Sequence, residues 1–445
     1  MGAFKAYDIR GIYPVDFNKD TVYRIGYFLP KLLKSPFVVV GRDVRLSSDE
    51  ILSALCEGVT DSGADVWNIG LATTPMVYFS TVFFKAEASV QITASHNPPQ
   101  YNGLKISRAK AIPVGSDSGL KELERMVNED PVIRSAHKGK VIDKDARTPY
   151  LEFQKQFVPD FKNLDISIDC SNGMSSLLVR DLLGDTPHYL YDTLDGTFPH
   201  HDPNPLEEKN CKDIEKAVLD NHSDVGIIYD GDADRVMFID EKGRFLQPDY
   251  ITAVIGSDLL ATEKGNSLVD IRTSRSTTEY LTKLGSSVTI WKVGHAFAKN
   301  KLREINGIFG GELAGHYYFR EFFNCDSGIL ASLIVLKVVA HLKKEGRTFS
   351  SFLDEIIKYS NSGETNFKLE HKDEAMDALY DRFVRNDKPS KVMDFDGYRI
   401  EFPLWWFSVR KSNTEPYLRL VVEAKNKSLL DEKFKLLSDI IRKFN

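Results

Sequence analysis

Residues 87–99, Glu87-Ala88-Ser89-Val90-Gln91-Ile92-Thr93-Ala94-Ser95-His96-Asn97-Pro98-Pro99, hold both a strand and its end. The first six alternate well enough to read as a short strand, and the paired prolines forbid its continuation past Asn97. Ser95 then stands at a strand's carboxyl end, where open α/β sheets place their ligands. Ser, Asn and Pro are also what ordinary turns are made of. By itself the stretch admits a plain turn as well as a reactive serine, and its company elsewhere in the chain decides between them.

Outward from this strand the same alternation recurs. Phe37-Val38-Val39-Val40 precedes a helical pattern from Ser48 to Ser62, and Asp165-Ile166-Ser167-Ile168-Asp169 precedes one from Ser175 to Leu183. Ser267-Leu268-Val269-Asp270, a helix from Ser276 to Leu284 and Ser287-Val288-Thr289-Ile290 form a third set. Strands alternating with helices signal parallel α/β units. The 445 residues exceed what one core organises, which predicts three or four domains of about 100 to 150 residues each. One boundary is expected near Asp145 to Tyr150, after a charged, proline-bearing segment, and another at the turn Asp240-Glu241-Lys242-Gly243. From about Gly363 the pattern changes: Tyr398 to Phe402, Leu404 to Val409 and Tyr417 to Val422 read as strands, and Leu429 to Phe444 as an amphipathic helix. The expectation is three consecutive mixed-sheet α/β domains, over 1–146, 147–243 and 244–362, plus a smaller C-terminal α+β domain over 363–445.

Composition narrows the class. At 42% hydrophobic and 27% charged the chain is globular, and its net charge of -6 argues against a nucleic-acid or anionic-membrane face. Cys56, Cys170, Cys211 and Cys325 lie far apart with no C-x-x-C pair, which fits reduced thiols. The first residues have no apolar signal region, Ala6 stands where a myristoylation signal wants Ser or Thr, and the apolar run Ile329 to Ala340, with Lys337 inside, is too short to span a bilayer. A soluble cytoplasmic protein, with no nucleic-acid and no membrane partner, is expected.

The strongest chemical signal is Asp230-Gly231-Asp232-Ala233-Asp234-Arg235, set between the apolar runs Val225 to Tyr229 and Val236 to Ile239. Three carboxylates spaced by two can converge hard oxygen ligands on one divalent cation, Mg²⁺ first. An EF-hand places Glu241 at its twelfth position, but Arg235 stands where the sixth needs glycine, and strands flank the loop. An aspartyl-phosphate phosphatase loop would make Asp230 the nucleophile, and Asp234 stands where that loop has Thr or Val. Solvated charges alone explain little, since three aspartates this close repel unless something positive binds them. A phosphoryl group on Ser95 would be a natural fourth ligand, joining the two loops in one site.

Two further loops bear on this. Gly310-Gly311-Glu312-Leu313-Ala314-Gly315-His316 lets backbone approach a ligand while Glu312 accepts from hydroxyls. Arg410-Lys411-Ser412-Asn413-Thr414-Glu415-Pro416 offers a guanidinium fork, hydroxyls and backbone N–H groups in one bend, a phosphate cradle.

In order and spacing these four loops resemble the signature loops of the α-D-phosphohexomutases, nearest the phosphomannomutase/phosphoglucomutase branch. The resemblance runs from Phe4-Lys5-Ala6-Tyr7-Asp8-Ile9-Arg10-Gly11 to the C-terminal helix. It implies four domains around a central active-site cleft, each giving one loop. It also implies a phosphoserine at Ser95, Mg²⁺ held by Asp230, Asp232 and Asp234 with that phosphoserine, and His96 and Lys105 near proton transfer. By the same resemblance Arg10 and Arg235 lie near the reacting phosphoryl group, and Tyr7 shares the N-terminal motif with Arg10. Glu312, with Gly294, His295 and His316, meets the sugar, while Arg410, Ser412, Asn413 and Thr414 grip the phosphate that is not transferred. The implied activity is that of a phosphomannomutase, an isomerase interconverting mannose 6-phosphate and mannose 1-phosphate through a hexose 1,6-bisphosphate that is intermediate and activator. The implied assembly is a monomer or homodimer.

Two departures concern the sugar: many relatives carry serine at Ala314, and some carry lysine at Arg272. They leave glucose and glucosamine phosphates open as substrates. A phosphatase using Asp230 predicts free phosphate and no phosphate on Ser95.

Overall fold

The structure is a computed structural model and describes residues 2–412 and 417–444. Four sheets follow one another along the chain. The first has seven strands, and its backbone order runs Ile9–Ile12, Tyr101–Arg108, Ala88–Ile92, Phe37–Arg42, Asp65–Leu71, Val141–Asp143. Phe37–Arg42 pairs in parallel with Asp65–Leu71 and Ala88–Ile92, while Tyr101–Arg108 turns back antiparallel on Ala88–Ile92. The Ala88–Ile92 strand is buried at every position, as a strand covered on both faces must be.

The second sheet sets Val225–Tyr229 between parallel Ile166–Asp169 and antiparallel Val236–Asp240. The third sets Asn266–Asp270 between parallel Ser287–Trp291 and Phe309–Gly311, continued by antiparallel Tyr317–Phe319 and Cys325–Asp326. Parallel centres with antiparallel edges make these mixed sheets. The fourth is antiparallel throughout, with Tyr417–Ala424 and Trp405–Lys411 at its middle and the helix Lys427–Ile441 beside it.

Several elements differ from the sequence pattern. The helix expected from Ser175 to Leu183 is two short pieces, a 3-10 turn Met174–Leu177 and a helix Val179–Leu183, because Leu178 leaves helical geometry (φ -130°, ψ -31°). The turn ending at Gly243 closes a hairpin within the second sheet, since Phe245–Leu246 still pairs with Val236–Asp240. Ser360–Asn361 already pairs with the fourth sheet. The apolar run from Ile329 lies in the helix Gly328–Lys344, buried nearly all round, which is how a hydrophobic helix sits in a large core. Among the described residues no helix is long and apolar enough to cross a membrane, and all four cysteines are buried and unpaired.

One apolar core runs through the second and third sheets and reaches the face of the helix Thr74–Phe83. The fourth sheet keeps its own core, and Leu313 packs with Trp406 and Val421 where it meets the third. Polar ties reinforce that junction. Glu364 accepts from Arg272 and Arg419, and Arg275 reaches Glu401 and the Phe402 carbonyl.

Candidate active site

Beyond Ile92 the backbone bends sharply. Ser95 adopts a left-handed conformation (φ 53°), which costs a non-glycine residue about 1–3 kcal/mol and persists only where its surroundings fix it. Thr93 Oγ1 accepts from Ser95 N–H at 2.9 Å, and the Ala94 carbonyl accepts from Asn97 N–H at 3.0 Å. Ser95 is buried, and its Oγ donates to Asp230 Oδ2 at 2.9 Å. The serine and acidic loops therefore meet, and Gly231 permits it: a Cβ there would lie 2.5 Å from the Ser95 carbonyl oxygen.

The acidic loop is the tip joining Val225–Tyr229 to Val236–Asp240. Asp230, Asp232 and Asp234 are all buried, with one oxygen of each within 4.8 Å of the others. Lys105 Nζ, from the strand Tyr101–Arg108 of the first sheet, donates to Asp232 Oδ2 at 2.6 Å and to Asp234 Oδ2 at 2.5 Å, and the Thr74 hydroxyl donates to Asp232. Asp232 Oδ1 and Asp234 Oδ1 have no hydrogen-bond partner among the described residues. Buried carboxylate oxygens so placed suit a hard divalent cation, so the donor set fits the expected metal.

Electrostatics follow from this packing. Burial, then the charges of Asp232 and Asp234, push Asp230 well above the ordinary carboxylate range. Burial opposes ionisation of Asp232 as well, but Lys105 outweighs it and holds that carboxyl below the usual range. Burial likewise works against the Lys105 charge, and Asp232 with Asp234 outweighs it, so Lys105 stays an ammonium. His96 is driven well below the ordinary histidine value by burial and by Arg235, Arg10 and Lys105. Its Nδ1 has no partner among the described residues.

Arg10 Nη1 donates to Asn97 Oδ1 at 2.9 Å and Nη2 to Asp8 at 2.5 Å. Arg235 Nε donates to His316 Nε2 at 2.9 Å and lies 3.9 Å from both Asp230 and Asp234. That bond ties the acidic loop to the glycine loop, which an isolated bridge between Arg235 and His316 also joins. Because His316 Nε2 accepts, the ring's proton is on Nδ1, 2.6 Å from Asp326 Oδ2.

Glu312 is buried with both oxygens engaged: Gly294 N–H donates at 2.5 Å and Tyr318 OH at 2.7 Å. Gly294 has φ 127°, and a Cβ on it would lie 2.8 Å from Tyr7 Oη. Tyr7 donates to the Val293 carbonyl at 3.3 Å and packs edge-on against His295. Burial, then Lys299, lowers His295 well below the ordinary value. Ala314 sits half-buried in the bend beside Gly315.

Arg410 is buried, and its Nη2 lies 3.4 Å from Asp396, which also accepts from Val293 N–H at 2.8 Å. One carboxylate thereby joins the strand end at Arg410 to the backbone at Val293. Ser412 is the last described residue before the bend; Asn413 and Thr414 lie outside the described residues. Arg272 is held by Asp270 at 2.8 Å and Glu364 at 2.9 Å, so its guanidinium sits on carboxylates at the junction of the third and fourth sheets.

Several polar residues in this network were not singled out from the sequence: Arg45, Thr74, Lys299, Asp326 and Asp396. Arg45 has a signal of its own, since Gly41-Arg42-Asp43-Val44-Arg45 leaves a strand at its carboxyl end as Ser95 does. Asp326 and Lys299 have none, because only the tertiary structure shows that both are buried.

Comparison with known proteins matches the chain domain by domain. Models of phosphoglucomutase/phosphomannomutase match in sequence: alpha/beta/alpha domain I over 1–132, domain II over 149–243, domain III over 247–359 and the C-terminal domain over 364–436. A protein named phosphohexose mutases from Xanthomonas campestris pv. campestris (strain B100) is 37% identical, covering 99% of each chain. The phosphomannomutase of Escherichia coli K12 is 35% identical over 96% of this chain and 95% of its own. The crystal structure of a phosphoglucomutase/phosphomannomutase family protein from Burkholderia thailandensis superposes with a TM-score of 0.88 at 27% identity, covering 99% of this chain and 96% of that one.

Proposed function

The chain belongs to the phosphoglucomutase/phosphomannomutase family, and from that membership we propose a phosphomannomutase that interconverts mannose 6-phosphate and mannose 1-phosphate through a phosphoserine at position 95. The observation that carries the proposal is the meeting of Ser95 Oγ with Asp230 at 2.9 Å inside a cluster of three buried aspartates.

In this reading the phosphoryl group of phospho-Ser95 passes to the free hydroxyl of a hexose monophosphate. The Ser95 Oγ–P bond breaks, the bond to the sugar oxygen forms, and the hydroxyl proton goes to a nearby base. The resulting hexose 1,6-bisphosphate reverses its orientation and returns its other phosphoryl group to Ser95, leaving the isomer. Asp230, Asp232 and Asp234 would hold Mg²⁺, which supplies positive charge to the transferring oxygens. Arg235 and Arg10 add theirs as charge spreads over those oxygens. Of the two candidate bases, Lys105 is here an ammonium shared by two carboxylates, whereas burial and nearby cations keep His96 neutral, its Nδ1 without a partner among the described residues. We assign the proton to His96 and phosphoryl contact to Lys105.

Glu312, its orientation fixed by Gly294 N–H and Tyr318, keeps lone pairs for sugar hydroxyls, with His295, His316 and Tyr7 beside it. Arg410 with Ser412, Asn413 and Thr414 would receive the phosphate that stays. Ala314, where many relatives carry serine, leaves glucose phosphates open as further substrates. Domain limits at 146, after Leu246 and before Ser360, a cytoplasmic location and a monomer or homodimer belong to the same proposal.

Wild type and S95A are compared on mannose 1-phosphate with Mg²⁺ and glucose 1,6-bisphosphate, and intact mass reads phosphate on the protein. The proposal expects isomer without phosphate release, one phosphate on wild type and no turnover by S95A. Phosphate release with an active S95A would instead make Asp230 the nucleophile of a phosphatase.

A further inference from the structure

Arg45 stands three residues beyond the end of the strand Phe37–Arg42, and its side chain is fully buried. A guanidinium has five N–H donors in a rigid fork, and here all five have acceptors. Nη2 donates to the carbonyls of Ser95 at 2.9 Å and Asn97 at 2.6 Å. Nη1 donates to those of Pro98 at 2.7 Å and Tyr101 at 3.0 Å, and Nε to Asp43 Oδ2 at 3.1 Å. Asp43 is itself fixed, accepting from Arg45 N–H at 3.0 Å and from the Ser48 hydroxyl at 2.7 Å. Four carbonyls of one loop thus converge on one planar cation.

The second domain covers this clamp. Phe198 lies with its ring centroid 5.0 Å from the Arg45 guanidinium carbon. Gly196 packs so tightly that a Cβ there would lie 2.2 Å from the Val44 carbonyl oxygen. The domain that supplies the three aspartates therefore bears directly on the residue that holds Ser95.

Two consequences follow from peptide geometry. A trans peptide carries its N–H opposite its C=O, so drawing the Ser95 carbonyl to Arg45 turns the His96 N–H away from the clamp. Among the described residues that N–H has no acceptor. The loop also contains Pro98 and Pro99, which donate nothing, so its own backbone can make few hydrogen bonds to hold its shape. An external donor set must do so.

We propose that Arg45 is a positioning residue for phosphoryl transfer, clamping the Ser95 loop by four of its carbonyls and coupling it to the domain that carries the acidic loop. The inference rests on the phosphoserine reading of Ser95. A lysine keeps the charge but presents three donors from one point, so R45K cannot span the four carbonyls.

The full-length protein is first loaded with glucose 1,6-bisphosphate, and intact mass verifies the phosphate on Ser95. Steady-state kinetics on mannose 1-phosphate, single-turnover transfer from loaded protein and thermal unfolding then compare wild type, R45K and F198L. A misplacement of order 1 Å costs on the order of 100-fold in rate, so R45K is expected to lose ~10- to 100-fold in kcat and in single-turnover transfer alike. KM should stay within about twofold because the sugar and cradle loops are untouched. F198L, which removes only the aromatic cover, should show a smaller loss of the same kind with a near-normal unfolding midpoint. Unchanged transfer in a folded R45K overturns the proposal, as does a rise in KM with kcat intact. If R45K does not fold, wild-type transfer by F198L overturns it. Wild type that takes no phosphate on Ser95 refutes the shuttle itself, and the clamp with it.

Discussion

Replacing Asp326 with asparagine tests whether a buried charge underlies the sugar and phosphoryl contacts. Asp326 Oδ1 lies 2.7 Å from Lys299 Nζ, and both side chains are fully buried. The ammonium also sits 3.6 Å from the centroid of the Tyr78 ring. Asp326 Oδ2 faces His316 Nδ1 at 2.6 Å, and His316 in turn accepts from Arg235. Burial works against the Asp326 charge, but Lys299 and His316 outweigh it and hold the carboxyl well below the ordinary range. D326N keeps the shape and removes the charge, leaving Lys299 buried with only a neutral amide and a ring face. Breaking such a pair from one side costs about 3–5 kcal/mol. The amide oxygen can still face Lys299, which puts the expected loss near the lower end, ~3 kcal/mol. At about 2–4 °C per kcal/mol for a unit of 150–250 residues, the unfolding midpoint should fall by ~6–12 °C. The double variant D326N/K299M removes both charges, and replacing a whole buried pair is often neutral, so it should recover most of that loss. Differential scanning calorimetry on wild type, both single variants and the double variant gives the coupling. Turnover of D326N should also fall, since His316 loses the acceptor that orients it toward Arg235. A D326N loss under about 1 kcal/mol, or a double variant less stable than D326N, would refute the reasoning.

Other outcomes follow from the same geometry. Burial, with Glu423 and Asp270 nearby, raises Asp249 from 3.8 to about 7 against the hydrogen bond it accepts from Ser274 N–H. The native state therefore binds the extra proton between those values, and stability from this group is full below pH 3.8 and lost as pH rises through 7. D249N removes that dependence, so the midpoint of D249N minus that of wild type should increase between pH 5 and pH 8, roughly the window of the titration; a flat difference would count against the shift. R410A should raise KM for mannose 1-phosphate by ~10- to 100-fold, the worth of about 1.5–3 kcal/mol of charged hydrogen bonding, with kcat less affected. Unchanged KM would dismiss the cradle role. G231A drives a methyl group against the Ser95 carbonyl oxygen at 2.5 Å, so it should lower kcat with little change in KM, and wild-type kinetics would show that the loops have more room than described. Chelation of divalent ions should abolish turnover reversibly, and activity that survives it would exclude the three-aspartate metal role.

What one sequence could disclose depended on how local the cause was. The strand Ala88–Ile92, its end at the prolines and the acidic tip between two apolar runs are all written in neighbouring residues, because backbone restriction and side-chain alternation act over a few positions. The break at Leu178 was less visible, since the apolar pattern from Ser175 to Leu183 reads as one helix while the backbone turns within it. Arg272, a sugar candidate by resemblance, sits on Asp270 and Glu364, and Glu364 immediately precedes the strand Thr365–Lys368 of another sheet.

The sequence by itself determined three α/β units and a smaller α+β tail, the serine at a strand's end, the three aspartates between apolar runs and the two further polar loops. The tertiary structure alone decided which of them touch. Ser95 and Asp230 are 135 positions apart, and Arg235 and His316 81 apart, so their contact depends on how whole domains pack. The same holds for charge: Asp326 and Lys299 are ordinary polar letters in the chain, and become a buried pair beneath the site only when the folded protein removes both from water.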